Sequence, residues 1–355
     1  MDPLTHTLAG ASLAQTRFGR VRLGTATCVI GANLPDIDAA TYFLGSDVAL
    51  GFRRGWTHGV LAMAVLPPLL AWAMHLVDRF RCAQTPTATP VPVVRLLGLS
   101  YLALLTHPAL DWLNTYGIRL LMPFDGRWFY GDSLFIVDPW VWLMLGTIVV
   151  LAHSASRILA AGWIALGAIA TALVTGVPGV PFGLRVFWCL GLAMVAGLRV
   201  WGGLQPRLQR VATSGLVLAG IYVLAMVGSS QLVRLEVERW ARDRGLEANQ
   251  IMVGPTPADP FRRSVVMADD QHYHRLAFDW LASERVQLDG GVTTIGDDHP
   301  AAGAALSAPA LWGLATWTRF PSYTIEALPD GYRVGVTDIR FGRAVVELDR
   351  DLNPR

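Results

Sequence analysis

Apart from arginine, the first 230 residues contain few ionisable side chains, and most of their Asp and His residues fall in short clusters. His6 lies in Thr5-His6-Thr7. Asp36 and Asp38 follow Pro35. Arg54-Gly55-Trp56-Thr57-His58 ends in a second histidine. His107 precedes Asp111 by four positions, with Asn114 and Tyr116 just beyond. Three imidazoles and three carboxylates form a donor set suited to Zn²⁺ first and to Mn²⁺ or Fe²⁺ next. They suit Ca²⁺ less, because it prefers oxygen throughout. One or two such ions would leave the site near neutrality, able to activate a water against a phosphoryl or acyl group. The expected metal ligands are therefore His6, Asp36, Asp38, His58, His107 and Asp111. In an extended loop Asp36 and Asp38 would face the same way. His107 and Asp111 stand at i and i+4, but Pro108 predicts a break or kink between them. Asp36 or Asp111 would act as general base. Arg54, one turn before His58 if helical, would grip a phosphate oxygen, and Asn114 and Tyr116 would hydrogen-bond substrate.

Each cluster alone has a plainer reading. His6 fits a helix cap, and Asp36-Ile37-Asp38 a turn with a cap. His58 fits a partner of an aspartate or of headgroups, and His107 with Asp111 a structural hydrogen bond. Asp138-Pro139 reads as an N-cap with proline at the first helical position. His75 and His153 are expected at headgroups, and His272, His274 and His299 at the surface. Their common depth is what favours a metal site for the first clusters, and that depth follows from the elements that carry them.

Apolar runs long enough to cross a bilayer, about 20 residues, are expected at Gly59–Val77, Leu96–Leu113, Val137–Leu151, Ile158–Val177, Leu184–Val200 and Val211–Ser229. Two shorter segments, Leu4–Ala14 and Leu23–Leu34, would reach only roughly 18 Å as helices and must pack among the longer ones. Arg17, Arg20, Arg22, Arg79, Arg81, Arg95, Arg157, Arg199, Arg207 and Arg210 fall on one side under simple alternation, which assigns the cytoplasm. His6, Asp36 and His107 then lie roughly 16–21 Å from that side, and His58 starts its span from the opposite side. The irregular, polar stretch Asp111–Asp138 must be buried in protein or line a wet cavity. Thr85–Pro92 reads as a proline-rich extended loop, and Val177–Phe182 as a tight turn.

Of the 355 residues, 53% are hydrophobic and only 16% charged, and the sequence has no lysine. That balance excludes a disordered chain, a coiled coil and a nucleic-acid-binding arm. The 3 cysteines are odd in number and far apart, so neither a disulfide framework nor a thiolate metal site is expected. Residues 1–15 lack the basic start of a signal peptide. After Gln231 the polarity becomes ordinary. Gln231–Arg244 reads as a charged helical exit. Short β-like runs follow at Ile251–Val253, Arg263–Met267, Tyr273–Phe278, Tyr323–Ala327, Tyr332–Asp338 and Ala344–Leu348, with Asp330-Gly331 as a hairpin signal and a helix expected over Ala301–Ala315. The expected fold is mainly α, a polytopic transmembrane helical bundle over residues 1–230. A small soluble, mainly β (α+β) domain is expected over residues 231–355.

The chain resembles the LexA-regulated family of bacterial inner-membrane metal-dependent hydrolases. The likeness rests on Met1-Asp2-Pro3-Leu4-Thr5-His6-Thr7, Asn33-Leu34-Pro35-Asp36-Ile37-Asp38, Arg54-Gly55-Trp56-Thr57-His58 and His107-Pro108-Ala109-Leu110-Asp111-Trp112-Leu113-Asn114-Thr115-Tyr116-Gly117. It is specific over residues 1–145 and returns at Val336–Gly342, which is like the tail of longer members. The resemblance implies a membrane-embedded metal hydrolase and carries ligand roles onto the same six residues. One departure is Arg53, where members often have histidine; if that histidine is a ligand, this site has one fewer.

The expected activity is hydrolysis of a phosphoester, or another ester, of a lipid-like substrate by a metal-activated water. Arg54 and the absence of a Gly-x-Ser-x-Gly elbow favour phosphoester chemistry. The expected location is the bacterial inner membrane, with membrane lipids as partners, no nucleic acid, and the C-terminal domain on the non-cytoplasmic side. The alternatives are a membrane transporter or metal-handling protein, and a structural anchor. A transporter would need a polar path through both halves of the bilayer, and the later spans carry almost no ionisable residues.

Overall fold

A computed structural model describes residues 1–84 and 89–355. Of the expected proline-rich loop, residues 85–88 lie outside the described residues. The chain divides into two compact units. The first comprises residues 1–35, 58–232 and 254–263, and the second residues 36–57, 233–253 and 264–355.

The first unit is helical. It contains α1 (Pro3–Ala14), α2 (Gly24–Asn33), α4 (Val60–Ala83), α5 (Val93–Trp112), α6 (Pro139–His153), α7 (Arg157–Gly176), α8 (Phe182–Trp201) and most of α9 (Leu208–Arg242). Among the described residues five helices are long and apolar enough to cross a membrane: α4, α5, α7, α8 and α9. The expected span Val137–Leu151 is shorter than that, because α6 has only 15 residues between Asp138 and Ser154. α9 runs 35 residues without a break, about 52 Å, so the last span and the charged exit are one helix. Large apolar side chains face outward from α7 to α9, such as Ile158, Phe182 and Leu224. Such a surface suits hydrocarbon rather than water.

α1 and α2 are too short to span, and they are held inside the bundle by close packing with α5. Asp2 caps α1: its carboxylate accepts the Thr5 backbone N–H at 3.0 Å, and Pro3 fits the first turn. Gly10 lets the two short helices touch, since a Cβ there would lie 2.4 Å from the Cys28 carbonyl oxygen. The opposite helix ends meet at the arginine-rich end. Gln15 Nε2 lies 3.1 Å from His153 Nε2, Arg199 Nε donates to Ser154 Oγ at 2.5 Å, and Arg22 is paired with Asp78. His75 and His153, expected at headgroups, have protein partners here: His75 Nδ1 is 3.2 Å from the Val91 carbonyl.

Between α5 and α6 the chain is irregular but hydrogen-bonded. Ile118 and Phe129 form a bridge. The Gly131 and Leu134 N–H groups donate to the Trp112 and Leu113 carbonyls at 2.7 and 3.0 Å. Asp138 caps α6 as expected, accepting from the Trp140 and Val141 N–H groups at 3.0 and 2.9 Å. Non-helical backbone can sit beside membrane helices on these terms, with its polar groups satisfied internally.

The second unit is α+β and includes the short helix α3 (Ser46–Phe52). A four-stranded sheet runs in the order β1 (Gln250–Thr256), β2 (Asp259–Ala268), β3 (His272–Asp279), β4 (Val286–Thr294). A three-stranded antiparallel sheet holds β5 (Pro321–Leu328), β6 (Gly331–Asp338) and β7 (Gly342–Asp349). Strand alternation sorts the first sheet's residues. Ile251, Val253, Val265, Met267, Leu276 and Phe278 pack with Val233, Val237 and Ala241 of α9. Met252, Val266, Ala268 and Tyr273 pack with Phe320. β4 is not legible in the sequence, because Asp289-Gly290-Gly291 interrupts its apolar pattern.

The hairpin signal falls where expected, with Leu328 paired to Gly331 across Pro329-Asp330. The helix expected over Ala301–Ala315 is broken. Pro309 cannot continue α10 (Pro300–Leu306), and after a 3₁₀ turn α11 (Trp312–Trp317) begins. Two histidines expected at the surface have structural roles: His274 is buried with Nε2 2.6 Å from Asp269 Oδ2, and His299 caps α10. The family-like stretch Val336–Gly342 centres on buried Asp338, which accepts from Arg340 Nε at 2.8 Å, the Arg319 N–H at 2.8 Å and Thr318 Oγ1 at 2.9 Å.

Candidate metal centre

Three chain segments of the helical unit bring their histidines together at one place. His6 lies in the first half of α1, His58 just before α4, and His107 with Asp111 in the last turns of α5. α5 is unbroken through Pro108. The proline removes one backbone hydrogen bond, but the helix continues past it to Trp112 and the expected break does not occur. The i, i+4 relation therefore holds, and both side chains share one helix face. Gly59 admits the loop after α5 beside His58, since a Cβ there would lie 2.3 Å from the Met122 carbonyl oxygen.

All four side chains are buried, His6, His58 and His107 at 0% exposure and Asp111 at 1%. Asp111 is the hub. Its Oδ1 lies 3.2 Å from His6 Nε2 and contacts the Met1 amino group. Its Oδ2 lies 3.3 Å from His58 Nε2 and 3.5 Å from His107 Nε2. His58 Nε2 and His107 Nε2 are 3.1 Å apart, and the His6 ring stacks on His107 at 3.7 Å between centroids. The Ala32 carbonyl lies 2.6 Å from His107 Nδ1. A carbonyl can only accept, so the His107 proton is fixed on Nδ1 and the Nε2 lone pair faces the cluster.

His58, His107 and Asp111 of this unit belong to a group that could hold a metal ion. Their ligand atoms lie within 4.8 Å of one another. The donors fit a divalent ion. In a tetrahedral site with bonds near 2.0–2.1 Å, ligand atoms stand roughly 3.3 Å apart, and the His58, His107 and Asp111 spacings of 3.1, 3.3 and 3.5 Å match that. His6 is not in that group. Its Nε2 faces Asp111, and its Nδ1 is buried without a hydrogen-bond partner.

The remaining expected site residues are placed as follows. Asp36 and Asp38 do not lie in an extended loop. Leu34–Leu44 is a 3₁₀ helix, in which residues two apart point in different directions. Asp38 accordingly turns to its own loop, accepting from the Arg54 N–H at 2.8 Å and Thr57 Oγ1 at 3.1 Å. Arg54 precedes His58 through turns rather than a helical turn, with φ of 53°, and is buried. Asn114 is buried and its Oδ1 accepts the Tyr116 N–H at 2.9 Å, closing an Asx turn. Tyr116 meets Trp128 edge to face. Asp138 lies outside the group, engaged by its cap and by Tyr222 Oη at 3.0 Å. Asp132 also lies outside it.

Arg53, noted in the sequence only as a departure from the family pattern, is a partner of both aspartates. Its Nη2 donates to Asp36 Oδ1 at 3.1 Å, and its Nε lies 3.6 Å from Asp38 Oδ1. Spacing alone could not have shown this pairing, because it depends on the fold of the loop between residues 38 and 53.

A bundle of apolar helices that buries three histidines and an aspartate near the helix ends opposite its arginine-rich end defines a polytopic membrane protein with a candidate metal centre. The chain belongs to the YdjM inner membrane protein family, whose model matches residues 1–180. The matched stretch includes every residue of the centre. No curated protein and no solved structure matches the chain significantly.

Proposed function

We propose that this protein is a membrane-embedded metal-dependent hydrolase acting on a phosphoester, or another ester, of a lipid-like substrate. The observation that carries the reading is the buried convergence of His58, His107 and Asp111 at tetrahedral-edge spacings, with the His107 tautomer fixed by Ala32. A buried cluster of ionisable side chains of this kind is costly beside hydrocarbon and marks function by default. His58, His107, Asp111 and Asp36 would hold one or two divalent ions, Zn²⁺ first and Mn²⁺ or Fe²⁺ next, and Asp38 would support the loop.

A divalent ion there would supply Lewis acidity and lower the pKa of a coordinated water. The chain supplies the rest. The Ala32 carbonyl holds the His107 proton on Nδ1. Asp36 or Asp111 accepts the proton released by the attacking water. The Arg54 guanidinium would bind a phosphoryl oxygen, with Asn114 and Tyr116 contacting the substrate's polar end. Residues 1–230 would form the membrane part and residues 231–355 a water-exposed domain on the non-cytoplasmic side. The arginine-rich helix ends would face the cytoplasm.

The test is metal analysis of the purified full-length protein together with hydrolysis of lipid phosphoesters. Wild type is expected to carry divalent metal, and His107→Ala and Asp111→Ala to lose it along with activity. A metal-free wild type, or variants with full metal content, would overturn the reading. Metal flux into liposomes without hydrolysis would replace it by a transporter. Comparing the lipids of cells that carry wild type or Asp36→Ala would identify the substrate.

A further inference from the structure

At the arginine-rich end of the helical unit a cavity of about 760 Å³ opens between the turn after α1 and the start of α9. Its polar lining is Gln15, Arg20, Arg207, Gln209 and Arg210. Three guanidiniums share this cavity, and no carboxylate lines it. Two other arginines at this end are engaged by polar partners, Arg22 by Asp78 and Arg199 by Ser154. Among the described residues Arg20, Arg207 and Arg210 have no such partner, and all three are exposed. α9 adds to the imbalance. It begins at Leu208 with no acidic residue in its first turn, so its positive pole lies against Arg207 and Arg210. Like charges gathered this closely are relieved by an anion.

The surroundings indicate which anion. Phe18 is 56% exposed, Val200 88% and Trp201 68%, on the turn after α1 and at the end of α8. Exposed aromatic and aliphatic side chains at helix ends mark the level of lipid headgroups. Basic cavities between membrane helices at that level recognise lipid phosphates.

We propose that this cavity binds the phosphate headgroup of an anionic membrane phospholipid, between Arg20 on one side and Arg207 and Arg210 on the other. The site is separate from the metal centre and does not depend on the hydrolase reading.

The test uses the full-length protein in neutral detergent, with lipid retention read by native mass spectrometry and stability by thermal unfolding. Phosphatidylglycerol is expected to be retained and to raise Tm, phosphatidylcholine to do neither, and inorganic phosphate at equal concentration not to substitute. Arg207→Gln and Arg210→Gln are each expected to weaken retention about fivefold, with the double variant falling about 25-fold. Arg207→Lys and Arg210→Lys should keep most of the binding and serve as folded controls, and metal content should be unchanged in all of them. Equal binding of phosphatidylcholine, or glutamine variants that retain phosphatidylglycerol as well as wild type, would overturn the proposal. Full substitution by inorganic phosphate would assign the cavity to a soluble anion instead.

Discussion

Asp111 touches three imidazoles, and its removal should do more than that of any single histidine. Asp111→Asn keeps the size but lowers the charge, and metal affinity should fall at least about 100-fold by competition titration with a chelator. His6 acts through Asp111, so His6→Ala should cost about 10–100-fold in affinity while leaving a measurable site. An outcome in which His6→Ala abolishes binding as fully as His107→Ala would make His6 a ligand in its own right. Arg53 points the other way. Its guanidinium holds Asp36 and Asp38, two of the expected ligands, and so competes with a cation for their charge. Arg53→Gln should therefore raise metal affinity a few-fold. Unchanged or weaker binding in that variant would show that Arg53 positions Asp36 rather than competing for it.

At the scale of elements, the centre depends on helices that approach closely and on one helix that does not break. Gly10→Val would drive a side chain into the Cys28 carbonyl and push α1 from α2, moving His6. Overpacking of this kind costs about 1–3 kcal/mol, so Tm should fall and metal content with it. Pro108→Ala is the opposite case. α5 is already continuous, and alanine restores a backbone donor without altering the His107–Asp111 spacing. Tm should hold or rise, with metal content unchanged. Loss of metal in Pro108→Ala would show that the ring itself sets the angle of the last turn.

The whole molecule couples an apolar bundle to an α+β unit with its own buried charge. Burial alone would raise the Asp338 pKa, but the hydrogen bonds and charge of Arg340 and the Arg319 N–H outweigh it and hold it at about 2 against an ordinary 3.8. A folded pKa below the unfolded one stabilises the protein above the unfolded value, and that contribution is lost as pH falls from about 4 through 2. The shift corresponds to about 2 kcal/mol. In thermal melts of the full-length protein, Asp338→Asn should lower Tm at pH 7, and its deficit against wild type should shrink below about pH 3. A constant deficit down to pH 2 would contradict the ionised pairing.

The sequence by itself determined the class of the molecule. Apolar length and the absence of lysine are one-dimensional quantities, and they suffice for a helical membrane part. Strand alternation and Asp330-Gly331 suffice for most of the second unit's strands, and proline after aspartate for the cap of α6. Residue types at similar predicted depths also singled out His6, Asp36, Asp38, His58, His107 and Asp111. Only the tertiary structure could give their local geometry. The 3₁₀ winding of Leu34–Leu44 separates Asp36 from Asp38. Continuity of α5 puts His107 and Asp111 on one face. The Ala32 carbonyl, from a helix 75 residues away in sequence, selects the His107 tautomer. Ligation depends on directions and distances of about an ångström, and side chains acquire those only when separate helices pack.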